Sequence, residues 1–188
     1  MNALESPTVL ARTKLVLWTG KKHSGKTTGA ARLARAAREQ GFDVAGLLAQ
    51  AVHCNGSLAG FDAIDLRTAE RAPLARRRSD AGKTCPFDFI TEGVNLGRTA
   101  LSLAAAESAE LVVVDEFGPV EMNCRGWRTD VDLLVRSSKA AILLVVRDEL
   151  AGQVQRLYAS VPSVELPGGY AESVDKVISI LKSRRAIK

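Results

Sequence analysis

Cysteine is scarce in this sequence, and what there is forms no recognisable framework. Its three cysteines, Cys54, Cys85 and Cys124, are widely spaced and include no Cys-x-x-Cys pair. An odd number without close pairs predicts neither a disulfide framework nor a structural zinc site, because zinc ligands usually come in such pairs. Reduced thiols are typical of a cytosolic protein.

The sequence also lacks the features of export and membrane insertion. No stretch approaches the roughly 18 uninterrupted apolar residues of a membrane helix. The start MNALESPTVLARTK has no basic segment followed by a long apolar core and a cleavage site. We therefore expect a cytoplasmic protein that does not contact a membrane. Its 188 residues predict a flexible N-terminal tail over residues 1–13 and a single domain over residues 14–188.

Charge of one sign is not strongly in excess. The 26 basic and 21 acidic residues give a formal net charge of +5, which a bound nucleotide alone would suit. A nucleic-acid partner is disfavoured, because the Arg-rich residues 71–83 lack interleaved aromatic side chains for base stacking, with only Phe87 and Phe89 nearby. Most charge runs are solvated faces.

What the sequence does contain is an alternation of apolar runs and segments of helical period. The runs LVLW, VAGLLA, LVVV and AAILLVV are continuous, as in parallel strands covered by helices on both faces. Helical periodicity predicts helices at about residues 26–40, 94–108, 127–138, 149–159 and 171–185. The alternation predicts an α/β fold with a mainly parallel sheet between two helical layers.

One segment departs from this alternation. Within residues 47–66, Asn55-Gly56 separates two strand-like runs, and Asn-Gly tolerates the positive φ angles of a tight hairpin turn. We predict an antiparallel hairpin here. The following Arg-rich residues 67–85 have the character of an edge strand or a mobile loop.

The stretch GKKHSGKTT matches the whole Gly-x-x-x-x-Gly-Lys-[Ser/Thr] phosphate-loop pattern, after a strand and before a helix. Its glycines let backbone N–H groups turn inward around an anion, and the following helix adds its positive end. Lys26 would reach the β- and γ-phosphates, which makes it a catalytic candidate, and Thr27 would ligate Mg²⁺. The predicted nucleotide-binding residues are Gly20, Lys21, Lys22, His23, Ser24, Gly25, Lys26, Thr27 and Thr28.

A magnesium-dependent site needs a carboxylate at the end of a neighbouring buried strand, and LVVVDE supplies one in Asp115. Glu116, the next residue, is well placed to orient or deprotonate an attacking water. Two adjacent acids after four apolar residues favour a functional role, because a buried charge must be paired.

Three further kinds of residue are catalytic candidates. Glu121, after a Gly-Pro turn, is a second candidate base. Arg147 ends the strand AAILLVV and is the preferred arginine finger, because the carboxyl ends of parallel strands form the ligand crevice. Arg125 and Arg128 are alternatives for the same role, although most isolated arginines lie on surfaces.

The segments GKKHSGKTT, GFDVAGLLA, GFDAIDL and LVVVDEFGPVE together resemble the P-loop nucleoside-triphosphatase family that includes the cancer-related nucleoside triphosphatase. The resemblance covers roughly residues 14–147. It implies a RecA-like three-layer αβα sandwich with an antiparallel hairpin extension. It also implies Mg²⁺-dependent hydrolysis of ATP, GTP and other nucleoside triphosphates to diphosphate and phosphate, with low base selectivity. On matching positions it implies that Asp115 partners Mg²⁺ and that Glu116 is catalytic.

Two alternative functions stay open. The loop and size are also similar to the GTP-binding accessory protein of molybdopterin-guanine dinucleotide synthesis, so a switch protein for cofactor biosynthesis with a protein partner is one. No Asn-Lys-x-Asp tetrapeptide for reading guanine is present. The other is a small-molecule or nucleotide kinase, in which Asp115 or Glu116 would serve an acceptor hydroxyl and residues 67–85 would form a lid.

Overall fold

The computed structural model describes residues 7–22, 24–78, 86–167 and 170–187. The strands are β1 Leu15–Gly20, β2 Val44–Cys54, β3 Ser57–Asp65, β4 Arg71–Arg77, β5 Phe87–Phe89, β6 Leu111–Val114, β7 Ala141–Arg147 and β8 Ser163–Pro167. The helices are α1 Pro7–Arg12, α2 Lys26–Glu39, α3 Thr91–Ala100, α4 Pro119–Met122, α5 Arg128–Ser137, α6 Asp148–Leu157 and α7 Tyr170–Arg185.

The strands form one mixed sheet in the order β5-β4-β3-β2-β6-β7-β1-β8. Strands β2, β6, β7, β1 and β8 are parallel, whereas β3, β4 and β5 extend the sheet in antiparallel pairs. The hairpin predicted at Asn55-Gly56 is the β2–β3 connection, where both residues have positive φ. The parallel strands and their hairpin extension are thus as predicted.

Buried residues lie on both faces of the sheet. Along β1, Leu15 and Leu17 belong to one core, which also contains residues of α3, α5 and α6. Val16 and Trp18 belong to the other core, which contains residues of α1, α2 and α7. This alternation along a strand buried on both sides confirms the three-layer sandwich.

The sheet order decides what meets at the functional edge. Strand β7 lies between β1 and β6, and all three run in the same direction. Their carboxyl ends therefore lie along one edge of the sheet, where Gly20, Asp115 and Arg147 end or follow the strands. Gly46 allows β2 to pair closely with β6, because a Cβ on it would lie 2.0 Å from the Val113 carbonyl oxygen.

The structure differs from three sequence predictions and contains an additional strand that the sequence did not indicate. Residues 7–12 of the expected tail form helix α1, whose Leu10 and Ala11 are buried, while residues 1–6 lie outside the described residues. The helix predicted at residues 94–108 spans Thr91–Ala100, with turns beyond it. Strand β8 was not predicted. Residues 71–77 form β4, which is not the edge strand because β5 pairs with it, and residues 79–85 lie outside the described part.

Every helix among the described residues is too short or too polar to cross a lipid bilayer.

Candidate active site

The phosphate loop joins β1 to α2 in the geometry that its sequence predicts. Gly25 precedes the helix with φ of 82°, a left-handed conformation that glycine adopts without steric cost. The Nζ atom of Lys26 folds back over the loop and donates to the carbonyl oxygens of Gly20 and Lys21, at 2.8 and 2.6 Å. His23 lies outside the described residues. Among the described residues, the hydrogen-bond partners of Lys26 Nζ are therefore backbone carbonyls.

Asp115, the residue after β6, is fully buried. Its carboxyl oxygens accept hydrogen bonds from the backbone N–H groups of Glu116, at 3.0 Å, and Ala49, at 3.2 Å. The side chain of Thr27 is a further polar neighbour that stabilises the charged carboxylate. Burial, followed by the charge of Glu116, raises the pKa of Asp115 to about 7, against the opposing effect of these hydrogen bonds. A buried carboxyl in this state is suited to receive a cation.

The donor set fits Mg²⁺. A carboxylate and a hydroxyl are hard oxygen ligands, which Mg²⁺ combines with phosphate oxygens and retained waters. Within the described ranges, no group of three or more His, Cys, Asp or Glu side chains could hold a metal ion. A cation at Thr27 and Asp115 would therefore depend on the nucleotide for further ligands.

Glu116 differs from its neighbour in both backbone and environment. Its φ is 55°, in the left-handed region that costs a non-glycine residue conformational energy. This conformation turns its side chain, which is 39% exposed, into the open cavity beside the loop. Its Oε2 atom lies 3.6 Å from Nη2 of Arg147. The structure thus brings together the predicted base and the predicted arginine.

The surroundings of Glu121 indicate that it stabilises the local fold. It is 4% exposed, and its two oxygens accept the backbone N–H groups of Gly118, at 2.9 Å, and Trp127, at 3.3 Å. Burial raises the pKa of Glu121, and these backbone hydrogen bonds oppose the rise. Both of its oxygens are engaged in holding the chain around α4, although the residue also borders the cavity.

The two alternative arginines lie away from the cavity lining. The Nε atom of Arg128 is 3.0 Å from both carboxylate oxygens of Asp132, which also accepts a hydrogen bond from Tyr158. Neither Arg128 nor Arg125 is among the described residues that line the cavity, whereas Arg147 is. The geometry therefore favours Arg147.

The cavity has a volume of about 650 Å³ and two chemically distinct halves. The charged half contains Lys22, Ser24, Gly25, Lys26, Thr27, Thr28, Glu116, Glu121 and Arg147, which include most of the predicted site residues. The other half is a surface on β3, β4 and β5 that we call the aromatic wall; it comprises Leu58, Phe61, Leu74, Phe87 and Phe89.

Sequence reasoning missed the aromatic wall. The rings of Phe61 and Phe87 pack edge to face with centroids 5.3 Å apart. The sequence has only five phenylalanines, and three of them line this cavity. The sequence places these phenylalanines in or near the hairpin region. Only the antiparallel pairing of β3, β4 and β5 shows that they lie side by side.

Sequence comparison identifies relatives over most of the chain. A model of the NTPase family matches residues 15–166. A nucleoside-triphosphatase THEP1 from Methanothermobacter thermautotrophicus is 31% identical over 140 residues, which are 72% of this chain and 78% of the relative. A protein of the same name from Methanocaldococcus jannaschii is 29% identical over 131 residues, 69% of this chain and 76% of the relative.

Solved structures match the same fold at lower identity. The solution structure of a human cancer-related nucleoside triphosphatase superposes with a TM-score of 0.69 at 18% identity, covering 94% of this chain and 100% of the human one. The crystal structure of THEP1 from Aquifex aeolicus gives a TM-score of 0.65 at 15% identity, covering 89% and 99%. The resemblance inferred from the motifs is thereby confirmed.

Proposed function

We propose a mechanism for this chain from the premise that it belongs to the NTPase family and hydrolyses nucleoside triphosphates to diphosphate and phosphate. In this mechanism the reaction depends on Mg²⁺ and proceeds with low base selectivity. The observation that carries the proposal is the position of the phosphate-loop residue Thr27 beside the fully buried Asp115, whose charged form it stabilises.

Substrate binding uses groups that the loop already presents. Backbone N–H groups between Gly20 and Thr28 cradle the phosphates at the positive end of α2. Lys26 exchanges its hydrogen bonds to the carbonyls of Gly20 and Lys21 for charge-assisted ones to the β- and γ-phosphates. Thr27 and Asp115 would hold Mg²⁺, which when bound neutralises charge developing on the phosphate oxygens.

The chemical step falls to Glu116. Its exposed carboxylate accepts a proton from a water that attacks the γ-phosphorus, while the bond from that phosphorus to the β-phosphate oxygen breaks and the diphosphate leaves. Arg147, 3.6 Å away, holds this carboxylate and has the reach to neutralise charge on the transferred phosphoryl group. Glu121 holds the backbone around α4, since both of its oxygens already accept backbone hydrogen bonds.

Low base selectivity follows from where the charges lie. The phosphate-binding half of the cavity contains Lys22, Lys26 and Arg147, whose positive charges bind phosphate groups regardless of the base. The absence of an Asn-Lys-x-Asp tetrapeptide removes one known means of selecting guanine. The kcat values for ATP, GTP and CTP are therefore expected to differ by less than about tenfold.

The test is the turnover of Glu116→Gln, measured as phosphate release from ATP and GTP with Mg²⁺ and no added acceptor. Loss of a general base is expected to lower kcat by about 10²- to 10⁴-fold, while nucleotide binding is retained. Glu121→Gln is the matched control, with the same chemical change nearby, and should keep kcat within about tenfold of the wild type. Normal turnover by Glu116→Gln would reject this assignment. Formation of nucleoside diphosphate that requires an added hydroxyl compound, with the phosphoryl group transferred to that compound and no free phosphate released, would favour a kinase.

A further inference from the structure

The aromatic wall has a chemical character that the hydrolysis of a triphosphate does not use. Every charged residue among the described cavity lining belongs to the phosphate loop, the β6–α4 region or β7. The lining on β2 to β5 contains no Asp, Glu, Lys or Arg within the described ranges, and its polar side chains are Gln50 and His53. This half is therefore built for an uncharged ligand with a polar edge.

The direction of the triphosphate keeps its own nucleoside away from this wall. The loop on β1 holds the α- and β-phosphates, while Lys26 and the Thr27–Asp115 pair mark the terminal end. Asp115 follows β6, which lies between β1 and the strands of the wall. The terminal phosphate is consequently the part of the substrate nearest to the wall, and the nucleoside is attached at the opposite end. This step rests on the proposed function.

The sheet leaves room for a second molecule beyond the terminal phosphate. From β6 the strands continue as β2, β3, β4 and β5. At a spacing of roughly 4.8 Å per strand, β5 lies about 19 Å beyond the strand that carries Asp115. Phe89 on β5 is 54% exposed, and Val120 of α4, which lines the same cavity, is 37% exposed. Both apolar side chains are therefore accessible to a ligand in the cavity.

We propose that the aromatic wall binds a second ligand, an uncharged heteroaromatic ring of the nucleoside class, together with the Mg²⁺-bound triphosphate. The ring stacks on Phe89 and on the edge-to-face pair of Phe61 and Phe87. Gln50 and His53 supply donors and an acceptor to the edge of the ring. Occupancy of this site narrows the access of water to Glu116, so the ligand lowers kcat without competing with the triphosphate.

The test uses protein saturated with Mg²⁺ and a non-hydrolysable ATP analogue. Equilibrium dialysis with radiolabelled adenosine and guanosine should detect one further equivalent of at least one nucleoside. Phe89→Ala should weaken that binding about tenfold, the scale of losing one stacked aromatic ring, while the affinity for the analogue is unchanged. Leu133→Ala, at another exposed apolar residue that does not line the cavity, is the control and should bind both ligands normally.

Three results would overturn the proposal. The first is that neither nucleoside binds to the saturated protein. The second is that a bound nucleoside is displaced in proportion to the amount of ATP analogue that binds, as expected for competition at one site. The third is that Phe89→Ala weakens the ATP analogue but not inorganic tripolyphosphate, because the wall would then hold the base of the substrate itself. Loss of hydrolysis in Glu116→Gln is measured separately, so failure here leaves the proposed hydrolysis standing.

Discussion

At the scale of single residues, the neighbouring acids Asp115 and Glu116 differ in burial and in side-chain direction. Asp115 is fully buried and accepts two backbone hydrogen bonds, whereas Glu116, with its left-handed backbone, lines the cavity. Their identity and order are plain in LVVVDE, so the sequence predicts both candidate roles. The backbone conformation that separates the two side chains depends on the packing around β6 and α4, which no local pattern encodes.

Proton release should accompany metal binding at Asp115. Its pKa of about 7 means that at pH 6 the carboxyl of the free protein is largely protonated, so Mg²⁺ must displace that proton. The affinity for the Mg²⁺–nucleotide complex should therefore rise as pH increases through about 7. Calorimetry at pH 6 in two buffers of different ionisation enthalpy should show proton release that is absent at pH 8.5.

Asp115→Asn provides the control for that experiment. It cannot release a proton, so its binding heats should not depend on buffer ionisation at either pH. Buffer-dependent heats of the same size in this variant would assign the proton to another group.

The role of Lys26 is testable by comparing ligands with and without phosphates. Lys26→Ala removes the charge-assisted contacts to the β- and γ-phosphates, each worth roughly 1.5–3 kcal/mol. Triphosphate binding should weaken at least about tenfold in titration calorimetry, while nucleoside binding is unchanged. Lys21→Ala, in the same loop but outside the cavity lining, is the control. Equal binding of ATP by the wild type and Lys26→Ala would contradict the loop assignment.

At the scale of elements, the short helix α4 and the turn after it depend on Glu121. Its carboxylate joins the N–H of Gly118 to that of Trp127, and the indole of Trp127 packs where a Cβ on Gly97 would lie 2.3 Å from it. The sequence predicts Glu121 as a second candidate base because position alone does not reveal that both oxygens are engaged. That fact belongs to the fold of residues distant in sequence.

Glu121→Gln should therefore lower stability more than activity. The amide replaces one acceptor oxygen by a donor facing a buried N–H group, which is expected to cost about 1–3 kcal/mol in unfolding free energy. Urea denaturation would measure the loss, with Glu116→Gln as the control of equal chemistry at a half-exposed site. A fully stable Glu121→Gln with abolished turnover would instead make Glu121 catalytic.

At the scale of the whole molecule, the two ends of the parallel strands differ in role. The candidate site lies at their carboxyl ends, and the contacts described below stabilise the fold at their amino ends. At the amino ends, Arg184 of α7 donates to the carbonyl oxygens of Thr13 and Lys139, which joins the last helix to the starts of β1 and β7. Helix α1 packs against α7 at the same place. These contacts close the second helical layer, and none of these residues lines the described cavity.

Arg184→Ala should uncouple stability from activity. Leaving two carbonyls without their charged donor is expected to lower the unfolding free energy by roughly 1–3 kcal/mol. Turnover at 25 °C should be unchanged, because the phosphate loop lies at the other end of β1. Thermal unfolding would measure the effect, and Lys182→Ala, an exposed residue of the same helix, should leave stability unaltered. Loss of turnover without loss of stability in Arg184→Ala would contradict this prediction and show that Arg184 influences the candidate site.

By itself the sequence determined the features that local chemistry imposes. The phosphate loop, the acidic pair after β6, the central apolar strands and the Asn-Gly hairpin all rest on residues adjacent in the chain. Only the tertiary structure decided the rest: the pairing of Glu116 with Arg147, the structural engagement of Glu121, helix α1, strand β8 and the aromatic wall. Each of these arises where strands and helices distant in sequence meet, and a contact between distant segments leaves no pattern in either segment alone.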